Sequence, residues 1–149
     1  MKKHLFCSLL IIITLSMLVG CNFKNNQENN KSNNTYEVKK SMKAIINEEE
    51  YIIDLEDNET VNSFINILPQ EYEMKELNGN EKYIYLDTSL PTNPTNPKTI
   101  NAGDIMLFGN NCLVLFYKSF DTQYSYTKIG HINNLPDLGN DNIKVRFEK

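Results

Sequence analysis

The chain has 149 residues, a formal net charge of −4 and a hydrophobic fraction of 40%, which leaves room for one domain. Two of its 15 basic residues, Lys2 and Lys3, precede the first apolar run, and the rest of the chain has 13 basic residues against 19 acidic ones. Proteins that bind nucleic acids need basic patches to replace the counterions of the phosphates. The acidic balance therefore argues against a nucleic-acid partner.

The N-terminal segment predicts export and lipid attachment. Lys2 and Lys3 precede an apolar run over residues 5–19, which is the pattern of a secretory signal. The alternative is a membrane-spanning helix, but such a helix needs roughly 20 apolar residues. Residues 18–21, Leu-Val-Gly-Cys, resemble a bacterial lipobox, whose cysteine receives a diacylglycerol. We therefore predict a signal peptide over residues 1–20, and a lipid on Cys21 that holds the protein on the extracytoplasmic face of the cell membrane.

Residues 21–38 are predicted to form a disordered tether. Asn, Lys, Gln, Glu and Ser dominate this segment, and so few apolar side chains cannot offset the entropy lost on folding. The folded domain is expected over residues 39–149. Contact with the membrane would come from the acyl chains and not from the acidic surface of the domain.

Cysteine usage predicts a domain without a disulfide. Cys7 belongs to the signal and Cys21 to the lipid site, so Cys112 has no intramolecular partner. Because Cys112 begins an apolar run, we predict that it is a small, buried hydrophobic residue.

One helix is predicted near the start of the domain. Asp57 or Asn58 is suited to cap its N-terminus, and Pro69 ends it because the residue before a proline avoids helical geometry. Apolar side chains follow at positions i, i+3, i+4 and i+7, which places them on one face. These residues are Val61, Phe64, Ile65 and Leu68.

Eight short segments with apolar or alternating residues predict β-strands, separated by turns rich in Asn and Gly. They cover residues 42–46, 51–55, 72–77, 82–86, 104–108, 112–117, 124–132 and 143–147. The first two are expected to form a hairpin, and so are the two that flank Gly109. This pattern predicts a mainly β fold, a small closed barrel of about eight strands with the helix capping one end.

The long connection over residues 87–101 contains Pro91, Pro94 and Pro97 at every third position, which favours an extended, polyproline-like path. Two interpretations stay open. The connection is either a stiff surface loop or the rim of a binding groove, since loops on rigid scaffolds often carry function.

Residues 42–148 resemble the bacterial cyclophilin-like domain, a small barrel related in fold to the cyclophilins. The resemblance rests on the order of hairpin, helix and strands, on the triple-proline loop and on four further segments. These segments are residues 78–83, 103–107, 113–117 and 124–130. The resemblance implies a closed barrel, but a fold does not determine an activity.

Cyclophilins that isomerise Xaa-Pro bonds use a catalytic arginine, surrounded by apolar residues, a glutamine and a histidine. The chain contains one arginine, Arg146, and strand alternation over residues 143–147 places it on the solvent side. No arginine lies in residues 75–86, where the resemblance would put it. The isomerase set is therefore not carried over. A divergent peptidyl-prolyl cis-trans isomerase acting on exported proteins stays the alternative function.

Other catalytic chemistry has little support in the sequence. A Ser-His-Asp triad would have to use His131, which lacks a nucleophile elbow nearby, and a Cys112–His131 pair would need an accessible thiol. Zinc sites need three or four suitable ligands, and Gly-rich phosphate loops are absent. We predict neither a metal nor a cofactor. A redox-linked role beside flavodoxin-like proteins, which the resemblance suggests, ranks last because no residues indicate a flavin site.

Aromatic residues are the remaining candidates for a site. Tyrosine offers amphipathic contact area at a low cost in side-chain entropy, which suits ligand recognition. We predict that one mouth of the barrel, beside the proline loop, is lined by Glu81, Tyr83, Tyr117, Phe120 and Tyr124. Such a groove would bind a peptide, a protein partner or a small ligand without catalysis. The alternative is that these aromatic side chains pack in the core or in cross-strand pairs.

Overall fold

The structure, a computed structural model, describes residues 40–149. These residues contain the helix α1 (Glu59–Asn66) and ten β-strands. The strands are β1 (Ser41–Ile46), β2 (Glu49–Leu55), β3 (Gln70–Leu77), β4 (Glu81–Tyr85), β5 (Thr99–Ile100), β6 (Asp104–Phe108), β7 (Cys112–Phe116), β8 (Phe120–Asp121), β9 (Thr127–Ile132) and β10 (Ile143–Glu148). The predicted signal peptide, the tether and Cys21 lie outside the described residues.

Eight of the strands close into one antiparallel barrel in the order β1-β10-β3-β4-β7-β6-β9-β2. The predicted mainly β fold, with a closed eight-stranded barrel and one short helix, is confirmed. Closure pairs every barrel strand on both sides, so the barrel has no open edge for aggregation. β5 and β8 pair with each other in a separate small sheet. The sequence pattern did not predict them, because two-residue strands have no periodicity.

The proline-rich connection is attached to the rest of the domain by several hydrogen bonds, one of which runs from the Asn93 amide to the Thr127 hydroxyl of β9 at 3.0 Å. Thr95 forms an isolated antiparallel bridge with Tyr126, and the Thr60 hydroxyl donates to the Pro91 carbonyl at 2.6 Å. Because Tyr126 pairs with the connection, β9 begins at Thr127, three residues later than predicted. The other seven predicted strands overlap observed ones.

The helix α1 connects β2 to β3 and packs its apolar face on the barrel core. The Asn58 side chain accepts a hydrogen bond from the Val61 amide at 2.9 Å, which identifies the cap among the two predicted candidates. Phe64 and Leu68 are buried in the core cluster. The Phe64 ring meets Phe147 of β10 edge to face, with 5.4 Å between centroids. The predicted apolar stripe therefore forms part of the core.

Strand alternation fills the barrel interior with apolar side chains. On β10, Ile143, Val145 and Phe147 are buried in the core cluster, while Lys144 and Arg146 face outward. The solvent-side position predicted for Arg146 is confirmed.

Lys82 of β4 is the charged exception inside the barrel, where its side chain is 0% exposed. Its ammonium group pairs with the Glu76 carboxylate and donates to the carbonyls of Gly139, at 2.6 Å, and Asp141, at 2.8 Å. It also lies 4.6 Å from the centroid of the Tyr117 ring. A buried charge is tolerated only when it is paired and hydrogen-bonded. Lys82 meets this condition and ties β3 and β4 to the segment before β10.

Residues 40–149 lie within one compact unit and contain the barrel with its core. Because the barrel closes on itself and buries its own core, we expect the chain from residue 36 onward to fold on its own. Among residues 40–149, no helix has the length and apolar character needed to span a membrane.

Replacing Lys82 by methionine tests the buried charge. The Lys82→Met variant loses the cation that compensates Glu76, so we expect residues 36–149 to lose about 3–5 kcal/mol of unfolding free energy. The control is Lys144→Met on the outer face of β10, which should change stability by less than about 0.5 kcal/mol. Urea unfolding followed by circular dichroism measures both. Equal stability of the two variants would contradict a structural role for Lys82.

The same comparison has an expected pH dependence. Desolvation acts to raise the pKa of Glu76, but hydrogen bonds from Lys82, Tyr117 and the Gly79 amide hold it below the usual 4.5. A carboxyl group with a lowered pKa stabilises the fold above its unfolded pKa, and this stabilisation is lost as the pH falls through the folded pKa. The difference between wild type and Lys82→Met should therefore be full above pH 4.5 and shrink at lower pH.

Candidate functional site

β7 is buried on both of its faces. Leu113 and Leu115 point into the barrel core, whereas Cys112, Val114 and Phe116 belong to a second apolar cluster on the outside of the barrel. This second cluster also contains Ile100, Met106 and Tyr126, with Tyr83 and Phe120 packed against it. Strands that are apolar on both faces need cover from other elements. Here the cover leaves only 6% of Cys112 and 4% of Val114 exposed, and an open groove remains between covering side chains that are themselves exposed, Tyr85, Phe108 and Tyr124.

The groove has a volume of about 340 Å³. Cys112 and Val114 of β7 form its floor. The neighbouring strand β4 contributes one wall, because Tyr85 pairs with Cys112 and Tyr83 pairs with Val114 in the β4–β7 register. The two tyrosine rings meet edge to face with 5.9 Å between centroids. Their side chains share one face of β4, as residues i and i+2 of a strand do.

The opposite wall consists of Phe108, Tyr124 and Tyr126. The Phe108 ring lies 6.0 Å from that of Tyr124 and 5.5 Å from that of Tyr126, measured between centroids. Tyr124 is 65% exposed and Tyr85, across the groove, is 63% exposed. Each wall therefore presents an aromatic ring to solvent, and exposed apolar surface of this kind often marks a ligand-binding groove.

Glu81 lies at one end of the groove, with Leu77 and Asn78. It is half-buried, and among residues 40–149 its carboxylate has no hydrogen-bond or ion-pair partner. Burial raises the pKa of the Glu81 carboxyl, and the nearby Glu76 carboxylate raises it further. Within residues 40–149, Glu81 is the one charged side chain that lines the groove.

The structure brings Glu81, Tyr83 and Tyr124 together in the groove and places the other two predicted residues elsewhere. Tyr117 is buried in the barrel interior, where its hydroxyl donates to Glu76 at 2.9 Å. Burial, reinforced by the hydrogen bond to Glu76, raises the pKa of Tyr117 to about 12. Phe120 packs against Phe116, with ring centroids 5.7 Å apart, behind the groove.

Sequence reasoning did not assign several lining residues to the site. Tyr85 could have been included, because it follows Tyr83 by two positions on the same strand. By the same alternation, Tyr117 shares a face with the inward-pointing Leu113 and Leu115, which places it in the barrel interior and not in the groove. Phe108 had no such signal, since its contact with Tyr124 depends on how the segment before β9 folds back over β6.

Cys112 is buried, as predicted, but it forms part of the groove floor. Burial raises the pKa of the Cys112 thiol, the Glu81 carboxylate raises it further, and a hydrogen bond with Tyr85 lowers it in part. The thiol is therefore protonated at neutral pH, and it offers a ligand an apolar contact and not a nucleophile.

Comparison with known proteins defines the family. The family model for the cyclophilin-like family matches residues 44–148. The chain belongs to this family. A search of curated proteins and a search of solved structures each gave no match. Family membership agrees with the closed barrel, but a fold does not determine an activity, which depends on the residues of the site.

The arginine of this cyclophilin-like barrel is not in the groove. Arg146 pairs with Glu148, with 3.2 Å between Nε and Oε1, and lines a separate cavity on the outside of β1, β3 and β10 with Lys144 and Glu71. The groove lies on β4 and β7, and its lining in the described part of the chain contains a carboxylate and no cationic side chain.

A polar cavity of about 550 Å³ contains His131, Asp104, Lys128 and Ser119. His131 Nδ1 lies 3.0 Å from Oδ1 of the buried Asp104, and Lys128 Nζ lies 3.5 Å from the same oxygen. The Ser119 hydroxyl accepts a hydrogen bond from the Ala102 amide. His131 and Cys112 line different cavities, so they do not form a catalytic pair.

The part of the chain that the structure describes has no group of three or more His, Cys, Asp or Glu residues arranged to hold a metal ion. The proline-rich connection touches Tyr126 through Thr95, but it contributes none of the groove's lining residues. Its contacts with α1 and with the segment before β9 are those of a packed surface loop.

Proposed function

We propose that this chain is an exported lipoprotein, attached to the bacterial cell membrane through Cys21, whose cyclophilin-like domain binds a peptide or a segment of a protein partner. The ligand occupies the outer groove over β7, and the domain catalyses no reaction on it. The groove carries this proposal, because it combines an apolar floor, two exposed aromatic walls and one unpaired carboxylate.

The size and chemistry of the groove fit a short stretch of polypeptide. Its volume of about 340 Å³ lies at the lower end of the range for ligand sites, which suits one or two side chains of a longer ligand. Exposed tyrosines bind such segments well, since their rings bury large areas and their hydroxyls retain hydrogen bonds. The open ends of the groove leave the rest of the ligand chain in solvent.

The groove favours binding over prolyl isomerisation. In cyclophilins, as the resemblance implies, an arginine polarises the proline nitrogen while the amide loses its resonance, across a barrier of about 18–20 kcal/mol. A carboxylate such as Glu81 is an acceptor and has no proton to donate when ionised. Arg146 lies in another cavity, so the alternative isomerase function has no polarising group in the groove.

The membrane attachment rests on residues 1–21 alone. A short apolar run with a basic start and a lipobox-like end is typical of a lipoprotein signal, and two acyl chains anchor a protein stably where one does not. The domain would then meet its ligand outside the cell.

Exchange spectroscopy tests the proposed function directly. We expect Xaa-Pro peptides mixed with residues 36–149 to show no cis/trans exchange peaks, because uncatalysed isomerisation takes tens to hundreds of seconds. Peptides that bind should shift the groove resonances, and Tyr83→Ala and Tyr124→Ala should each weaken binding about tenfold. Arg146→Ala is the matched control and should leave both observations unchanged.

Two outcomes would contradict this proposal. Exchange peaks would show that the domain is an isomerase with an unconventional catalytic group. Binding that both tyrosine variants leave intact would place the ligand outside the groove.

Replacing Cys21 tests the anchor. In a bacterium that processes lipoproteins, we expect the full chain to sediment with membranes and Cys21→Ser to lose its acyl chains, which mass spectrometry of the mature N-terminus detects. Cys112→Ser is the matched control and should keep both the acyl chains and the membrane fraction. An unmodified Cys21 in the wild-type protein would refute lipid attachment.

A further inference from the structure

The charged side chains on the two faces of β4 differ in their partners. Lys82 points inward and is fully paired, with Glu76 and two backbone carbonyls as partners. Its neighbour Glu81 points into the groove, and its carboxylate has no partner among the described residues. A half-buried carboxylate without a partner loses part of its hydration and gains nothing in return. The repulsion from Glu76 adds to this cost.

The rest of the groove lining also favours a positive ligand. Among the residues that the structure describes, the lining contains no lysine, arginine or histidine, and five of its members are aromatic. The faces of aromatic rings carry negative potential and attract ammonium and guanidinium groups within about 6 Å. The protein already uses this interaction inside the barrel, between Lys82 and the Tyr117 ring. An anionic ligand would meet Glu81 without any compensating cation.

We infer that the ligand is anchored by a lysine or arginine side chain of a peptide or protein partner. This inference rests on the proposed function and names the chemical class of its ligand. The cationic group lies against Glu81, and the aliphatic stem lies over Val114 between the tyrosine wall of β4 and the opposite wall. Lysine and arginine suit such a site because their stems are apolar and their charged ends are not.

Charge complementarity supports a basic partner at longer range as well. Beyond Lys2 and Lys3 the chain has 19 acidic residues against 13 basic ones, so the field of the domain attracts a basic segment toward its surface. The aromatic walls then select ligands whose charge sits at the end of a long apolar stem.

Three matched tripeptides test the inference. They are N-acetylated, C-amidated Gly-Xaa-Gly peptides in which Xaa is lysine, arginine or norleucine, the last having an apolar stem without a charge. Two-dimensional NMR of ¹⁵N-labelled residues 36–149 gives each Kd and identifies the shifted residues. We expect the lysine and arginine peptides to bind at least about fivefold more tightly than norleucine, with shifts in the groove. Raising the salt from about 0.05 M to about 0.5 M should reduce this ratio.

Three variants separate the charge from the walls. Glu81→Gln should bring the lysine and norleucine affinities together. Tyr124→Ala should weaken both peptides, because it removes wall area common to both. Glu73→Gln, at an exposed acid of β3 outside the groove, should leave the ratio unchanged. Thermal unfolding of each variant confirms that the fold is retained.

Each other outcome overturns the inference in a distinct way. Equal binding of norleucine and lysine in the groove would refute the cationic anchor and leave the proposed function standing. Lysine binding that Glu81→Gln does not affect would be adsorption to the acidic surface. Phosphocholine, used as a fourth probe, would point to a lipid headgroup if it bound at Glu81 while the peptides did not. Absence of groove shifts with every probe would refute the proposed function too.

Discussion

A strand that is apolar on both faces is the constraint on which this structure depends. β7 closes the barrel between β4 and β6, so its inner face must supply core side chains. Its outer face is equally apolar, and the small β5–β8 sheet and the aromatic residues around it bury almost all of it. The covering residues Tyr85, Phe108 and Tyr124 stay exposed in their turn, and the free energy gained by burying their surface is available to a ligand. The groove is therefore a consequence of how the barrel is built.

Because successive side chains of β4 point to opposite faces, its two neighbouring charged residues have different roles, one in stability and one in ligand recognition. Lys82 faces inward and holds Glu76 and the carbonyls of Gly139 and Asp141, so it is committed to the fold. Glu81 faces the groove and remains unpaired within the described domain. A one-residue change of register would exchange these two environments. The ligand site and the buried ion pair thus depend on the same strand pairing.

Much of the fold followed from local sequence patterns, because turns rich in Asn and Gly separate the strands and the helix has a clear apolar stripe. Glu81 and Tyr83 could be grouped since they share a face of one strand. The burial of Lys82 could not be predicted, because its carbonyl acceptors lie more than fifty residues away along the chain. The position of Phe108 in the groove could not be predicted for the same reason. Its contact with Tyr124 forms only when the segment before β9 folds over β6.

The position of a bound side chain is the most direct test of this account. Isotope-filtered NOE spectra of residues 36–149 with the lysine tripeptide report which protein protons lie next to the side-chain methylenes of the peptide. We expect cross-peaks to the rings of Tyr83 and Phe108 together, because the ligand lies between the two walls. Cross-peaks to Ile45 and Arg146, which line the separate cavity on β1 and β10, would contradict this position.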